Sequence, residues 1–369
     1  MARIPLIDGL RGIAILGVIY HHTLSWRVSA TNGSFIDTLS ASGWHGVNLF
    51  FLLSGFVLYL PYATGERGLN SWSTIKLFYI RRAQRLLPLY YFSTIFLIIF
   101  NLQWDIGNPS DYIKIFHYIF VTSGFSYGTF YPEANWVLWS LGVEIWFSVL
   151  FPAVLLLIRR TGWPSALMCM ILVSTTVRIV GECIAPGIRQ PLNFISDSVI
   201  GRLDEFAIGM FAAHIYVRSP EYKFGNKTLL LGASMILGSC ALWTNWLNGL
   251  FPAWVAGLFN IPLDIGMMLC TMALLAKCRI FAASLSIWPL QMIGMMCFSI
   301  YIWHGVVFLK LRPHIDGLVT YTVYLFITLL VSWFTYRYIE FRSTSNWRNL
   351  IPGDSAQPIA KTNPRALKS

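Results

Sequence analysis

The chain has 369 residues, of which 56% are hydrophobic, 16% aromatic and 12% charged, with a formal net charge of +11 and a mean hydropathy of +0.60. A soluble domain carries about 25% charged residues, so this composition excludes a disordered chain, a coiled coil, a secreted disulfide scaffold and an ordinary cytosolic enzyme. It fits an all-α polytopic integral membrane protein, and the basic residues, clustered between apolar runs, point to membrane topology and not to nucleic acid.

A span needs about 20 apolar residues. On that measure ten spans are predicted, at roughly 10–28, 43–62, 84–104, 136–158, 163–182, 198–217, 228–247, 251–276, 285–309 and 317–336. A shorter apolar piece at about 112–124 is too brief to cross, so it is placed at the outer interface or as a re-entrant segment. With the N-terminus inside, nineteen Lys and Arg fall in inner segments, five in outer segments, and Arg11, Arg178 and Arg202 lie within spans. Inner segments carry the excess of Lys and Arg, so both termini are expected in the cytoplasm and the protein in the inner (plasma) membrane as a multi-pass chain.

Arg3, the first apolar run and Val28-Ser29-Ala30 imitate a signal peptide, but Arg11 at its start and His21-His22 at its end argue against cleavage. Residues 1–342 read as one transmembrane domain. Residues 343–369 are polar, contain Pro352, Pro358 and Pro364, and read as a disordered cytoplasmic tail. The six cysteines have no CxxC spacing and sit mostly in apolar segments, so neither a metal site nor a disulfide framework is expected.

Ionisable side chains at membrane depth are costly, and each is a candidate for function. Arg11 and His22 are eleven residues apart, which puts them within about 20° of one helical face and about 16 Å apart along the axis. An anion-binding group with a titratable base beyond it suits a negatively charged reactant; a snorkelling arginine and a structural histidine give the other reading. His21 is rotated about 100° away. Arg81, Arg82 and Arg85 precede the third predicted span. They read either as an anchor on lipid phosphate or as a clamp on a phosphate-bearing ligand.

Ser140 and Glu144 share one helical face, and Glu144 requires a partner such as His22 or Arg202. Oriented against His22, it would raise the basicity of that ring. Arg178 and Glu182 have i,i+4 spacing and read as a structural pair. Asp264 is alone in its span. Tyr301 and His304 lie three apart on one face. Ser54, beside Gly55, reads as helix packing, with no base next to it in sequence.

These residues fall in a recognisable order. Ile7-Asp8-Gly9-Leu10-Arg11-Gly12-Ile13-Ala14 with His22 resembles the opening signature of the membrane acyltransferase-3 family. The segments Val47 to Phe56, Tyr79 to Pro88, Trp139 to Glu144, Arg202 to Gly209 and Tyr301 to His304 resemble its later elements in family order. Asn48 stands where relatives often carry an acid. The resemblance implies an O-acyltransferase, usually an O-acetyltransferase, of about ten spans. It would use cytoplasmic acyl-CoA, acetyl-CoA by family habit, to modify a hydroxyl of a cell-envelope or secreted saccharide.

By that resemblance His22 is the essential histidine, and Arg82 and Arg85 are the donor-handling pair. Some relatives carry a fused SGNH-type domain, which is not expected here. The implied mechanism has Arg11, Arg82 and Arg85 hold the donor phosphates while His22 acts as general base, or as an acyl-carrying nucleophile, with Glu144 orienting it. Ser140, Arg202, Tyr301, His304 and His21 complete the candidate site, which includes no metal. A transporter of a small anionic or glycosidic solute is the alternative, since ten spans with buried charges suit that class too.

Overall fold

The computed structural model describes residues 3–25, 42–100, 109–125, 135–184, 193–219, 224–276, 278–312, 315, 317–342 and 350–352. Among the described residues the structure is helical, with no strand. In chain order the helices are α1 (Pro5–Tyr20), α2 (Gly46–Ala63), α3 (Trp72–Phe100), α4 (Pro109–Ile119), α5 (Leu138–Ile184), α6 (Leu203–Arg218), α7 (Asn226–Leu247), α8 (Ala256–Ala276), α9 (Arg279–Leu285), α10 (Trp288–Met295), α11 (Cys297–Leu311) and α12 (Leu318–Thr335). Among the described residues six helices are long and apolar enough to cross a membrane, or seven if α10 and α11, bent by 75°, form one broken span.

Several boundaries differ from the predicted ones for identifiable reasons. The predicted third span starts at 84, yet α3 begins at Trp72, because residues 72–83 contain no helix breaker. The three arginines therefore ride on the helix, and Pro88 is tolerated inside it. The predicted fourth and fifth spans run together as α5, broken at Gly162, whose φ of 77° is open mainly to glycine. At about 1.5 Å per residue the 47 residues of α5 would far exceed a bilayer core of about 30 Å if unbroken. The predicted ninth span bends between Met295 and Cys297. The piece predicted at 112–124 overlaps α4, which is 11 residues long and too short to cross.

Of the tail predicted at 343–369 only residues 350–352 are described, and the stretches 26–41 and 126–134, predicted to face outward, also lie outside the described residues.

Packing is tightest where side chains vanish. Gly55 on α2 faces the carbonyl oxygen of Phe206 on α6, and Gly209 on α6 faces that of Leu52 on α2. A Cβ at either glycine would collide with backbone, so the two helices touch main chain to main chain, as small residues allow in membranes. Phe51 and Phe147 stack on Phe206 at 4.8 Å and 3.9 Å between ring centroids, filling the space beside this contact. The outward faces of α3, α7 and α12 carry exposed apolar residues such as Ile95, Leu230 and Phe326, the pattern of a surface in contact with lipid.

Candidate active site

Helix α1 ends in a wider π-type turn, His21–Ser25. Such turns are uncommon and occur often at functional sites. This one carries His22. Nδ1 of His22 lies 2.9 Å from Nε2 of His304 on α11, and the rings stack 5.2 Å apart at 12°. Nδ1 of His304 lies 3.2 Å from the carbonyl oxygen of Ile300.

The carbonyl can only accept, so His304 donates from Nδ1, and its Nε2 is then an acceptor when the ring is neutral. His22 in turn donates from Nδ1, which leaves the lone pair of His22 on Nε2. The two contacts thus fix a tautomer suited to a base. The rings of His21 and Trp136 flank His22 at 5.3 Å and 5.8 Å.

Two cavities adjoin near this pair, and His22 lines the smaller. The larger holds about 730 Å³, and its lining includes Arg11, Arg82, Arg85, Ser140, Glu144 and Tyr301. The smaller holds about 40 Å³ and is lined by His21, His22, Trp44, Trp139 and Arg202, among others. Val47 and Tyr301 line both. The Tyr301 hydroxyl is hydrogen-bonded to Ser140 Oγ at 2.7 Å, so the ring is fixed where the two spaces adjoin. Its centroid is 5.5 Å from that of His304.

Glu144 does not meet His22 through any hydrogen bond or ion pair. It accepts from Arg82 Nη2 at 3.3 Å and from Ser54 Oγ at 3.2 Å. Arg82 also donates from Nε to Ser148 Oγ at 3.0 Å. The carboxylate expected to orient the histidine thus holds an arginine of the larger cavity, and a second histidine, distant in sequence, takes the place beside His22. The carboxylate beside Ser54 is likewise unseen from sequence neighbours.

Arg85 is paired with Glu340 at 3.6 Å and lies over the Phe341 ring at 5.2 Å. Glu340 also accepts from Ser299 Oγ at 3.1 Å. Glu340 falls beyond the last predicted span, and its one sequence signal is being an acid within a basic segment predicted to lie inside.

Arg202, weighed as a partner for Glu144, is committed elsewhere. It donates from Nε to Asp197 at 2.8 Å and from Nη1 to Glu205 at 2.5 Å, and its guanidinium lies 5.9 Å from the centre of the Trp139 ring. The pair expected between Arg178 and Glu182 is also replaced. Arg178 makes a two-pronged ion pair with Asp204 at 2.8 Å and 2.6 Å, while Glu182 accepts from Ser196 at 2.8 Å. The fork geometry explains the preference, because both guanidinium nitrogens reach both oxygens of one carboxylate. Asn48 donates to Glu205 Oε1 at 3.0 Å.

Comparison with known proteins adds a second line. The chain is 26% identical over 368 residues to an O-acetyltransferase OatA of Staphylococcus aureus, covering 91% of this chain and 56% of the relative. It is 27% identical over 338 residues to a peptidoglycan O-acetyltransferase OatA of Listeria monocytogenes, covering 85% and 50%. It is 27% identical over 374 residues to a putative peptidoglycan O-acetyltransferase YrhL of Bacillus subtilis, covering 91% and 54%. The chain thus spans about half the length of these relatives. No solved structure matches it significantly. The family model described as an acyltransferase domain matches residues 4–337. The motif order from Arg11 to His304 and this match over nearly the whole chain agree: the chain belongs to the membrane acyltransferase-3 family.

Proposed function

We propose that the protein transfers an acetyl group from cytoplasmic acetyl-CoA to a hydroxyl of a cell-envelope saccharide, with His22 as general base. The observation that carries this reading is the His22–His304 pair, with His22 lining a small cavity that shares Val47 and Tyr301 with a large arginine-lined one. The large cavity has the volume of ordinary ligand sites, about 300–1,000 Å³. Arg11, Arg82 and Arg85 supply the charge that recognises the phosphates of the donor. Its thioester end extends toward Tyr301. The small cavity takes about three water-sized groups, which suits the three heavy atoms of an acetyl group and not a long acyl chain.

In the transfer, His22 Nε2 removes the proton of the acceptor hydroxyl while that oxygen attacks the thioester carbonyl. The carbon–sulfur bond then breaks, and the imidazolium returns its proton to the departing thiolate. His304 positions His22 and shares the charge that develops on it. The printed names of the relatives, O-acetyltransferase and peptidoglycan O-acetyltransferase, support a glycan acceptor.

The same reading includes the topology. Ten spans result when the two halves of α5 count separately, α10–α11 counts as one, and α1 with its π-turn and α6 join the other long helices. The excess of Lys and Arg in the inner segments supports cytoplasmic termini and a plasma-membrane location. The test is incubation of the purified protein with isotope-labelled acetyl-CoA and a panel of muramyl glycans and other saccharides. Labelled ester on a glycan hydroxyl is expected, and transfer to none of them with intact donor would reject the acceptor class.

A further inference from the structure

We infer that Asp204 and Glu205 on α6 and Asp264 on α8, together with Asn260, form a binding site for one hard divalent cation, Ca²⁺ or Mg²⁺. This inference does not rest on the acyl-transfer reading. One oxygen of each of the three carboxylates lies within 4.8 Å of the others, and all three residues are fully buried. Two oxygens about 2.4 Å from a common calcium ion lie at most roughly 4.8 Å apart, so the spacing is that of shared ligands. The donors are all oxygen, which selects hard cations over zinc or copper.

The independent observation is Asn260. It sits one turn before Asp264 on the same helical face. It is 1% exposed, its Nδ2 donates to Glu205 Oε1 at 3.3 Å, and its Oδ1 has no hydrogen-bond partner. A buried amide is therefore held against the carboxylates with a carbonyl oxygen unused. Both oxygens of Asp264 and Oε2 of Glu205 are unpartnered in the same way. Buried acceptors without donors are rare in native structures and call for an explanation such as an ion.

Charge leads to the same result. Asp197, Asp204, Glu205 and Asp264 face Arg178 and Arg202, which leaves two negative charges in a buried cluster. An isolated buried charge is not tolerated unless neutralised, and one divalent ion neutralises both. Sequence spacing gives no sign of the site, because its ligands come from two helices far apart in the chain. The site is linked to the small cavity through Glu205, which holds Arg202, a lining residue of that cavity.

The test uses the full-length protein in detergent, stripped with a chelator, then given Ca²⁺ or Mg²⁺ and desalted. Metal content and melting temperature are measured for wild type, Asp264→Asn and the distant control Asp111→Asn. One retained ion per chain and a rise of several degrees in melting temperature are expected for wild type and the control, with both lost in Asp264→Asn. Absence of retained metal and of any melting shift in wild type would overturn the inference and mean that the carboxylates share protons instead. So would retention unchanged in Asp264→Asn. If Asp264→Asn does not fold, the wild-type measurements alone decide.

Discussion

His22 and His304 are separated by 282 residues in the chain and by 2.9 Å in the fold. Because His304 spends its other nitrogen on the Ile300 carbonyl, the pair has a defined direction of donation that ends at His22 Nε2. In the proposed mechanism His304 is a positioning residue, acting on the acceptor hydroxyl only through His22. Replacing it with alanine leaves His22 free to adopt the wrong tautomer or to rotate. A fall of roughly 10²-fold in kcat is expected, with KM for acetyl-CoA nearly unchanged. His304→Gln, which keeps a side-chain acceptor, should recover part of the loss. A pH–rate profile shifted in His304→Ala and restored toward wild type in His304→Gln separates positioning from mere packing.

Glu144 gives a contrasting prediction. Its partners are Arg82 and Ser54, so Glu144→Gln should loosen the guanidinium that lines the larger cavity, where the proposal seats the donor. Arg82→Ala should raise KM for acetyl-CoA about tenfold, which corresponds to about 1.4 kcal/mol. Arg82→Lys should not restore it, because an ammonium cannot reproduce the two donations made from one planar fork. Glu144→Gln should likewise act mainly on KM. A large loss of kcat at constant KM would instead mean that Glu144 serves the histidine directly. Steady-state kinetics of the three variants distinguish these outcomes.

Tyr301 lines both cavities and is fixed by Ser140. Tyr301→Ala should open the junction and admit longer acyl chains. Acetyl transfer is expected to fall, while the ratio of butanoyl-CoA to acetyl-CoA turnover rises by about tenfold, the scale on which pockets discriminate single methylenes. Tyr301→Phe keeps the ring and should leave the ratio unchanged. Competition assays with mixed donors read this ratio directly.

The contact between α2 and α6 predicts a structural outcome without chemistry. Gly209→Ala forces a methyl group against the Leu52 carbonyl, and overpacking of this kind costs about 1–3 kcal/mol or more. Its melting temperature in detergent should fall by several degrees, whereas Gly238→Ala on α7, with open space around the added carbon, should match wild type.

Much of this organisation is legible in the sequence, and the parts that are not share a cause. Apolar run lengths mark the helices, because a bilayer demands continuous backbone hydrogen bonding over a set length. Arg11, His22, Arg82, Arg85, Ser140, Tyr301 and His304 stand out because polar groups at depth are rare. Their partners do not stand out. Intramembrane pairing is decided between helices, so Glu144 meets Arg82 and not His22, and Arg178 meets Asp204 and not the Glu182 four residues on. Local spacing favours the near partner, and fork geometry across helices outweighs it. The π-turn at His21–Ser25 is equally hidden, since it contains no proline or glycine that would announce it. Asp264, alone in its span in the sequence, is gathered with two other carboxylates, Asp204 and Glu205, in the fold.

The central claim is that His22, set by His304, performs the chemistry on an acyl-CoA donor. Thiol release from acetyl-CoA by the purified protein tests it most directly, comparing wild type with His22→Ala and His21→Ala. The account predicts slow release by wild type and by His21→Ala, with release abolished in His22→Ala although acetyl-CoA still binds. Release by His22→Ala at the wild-type rate would contradict it.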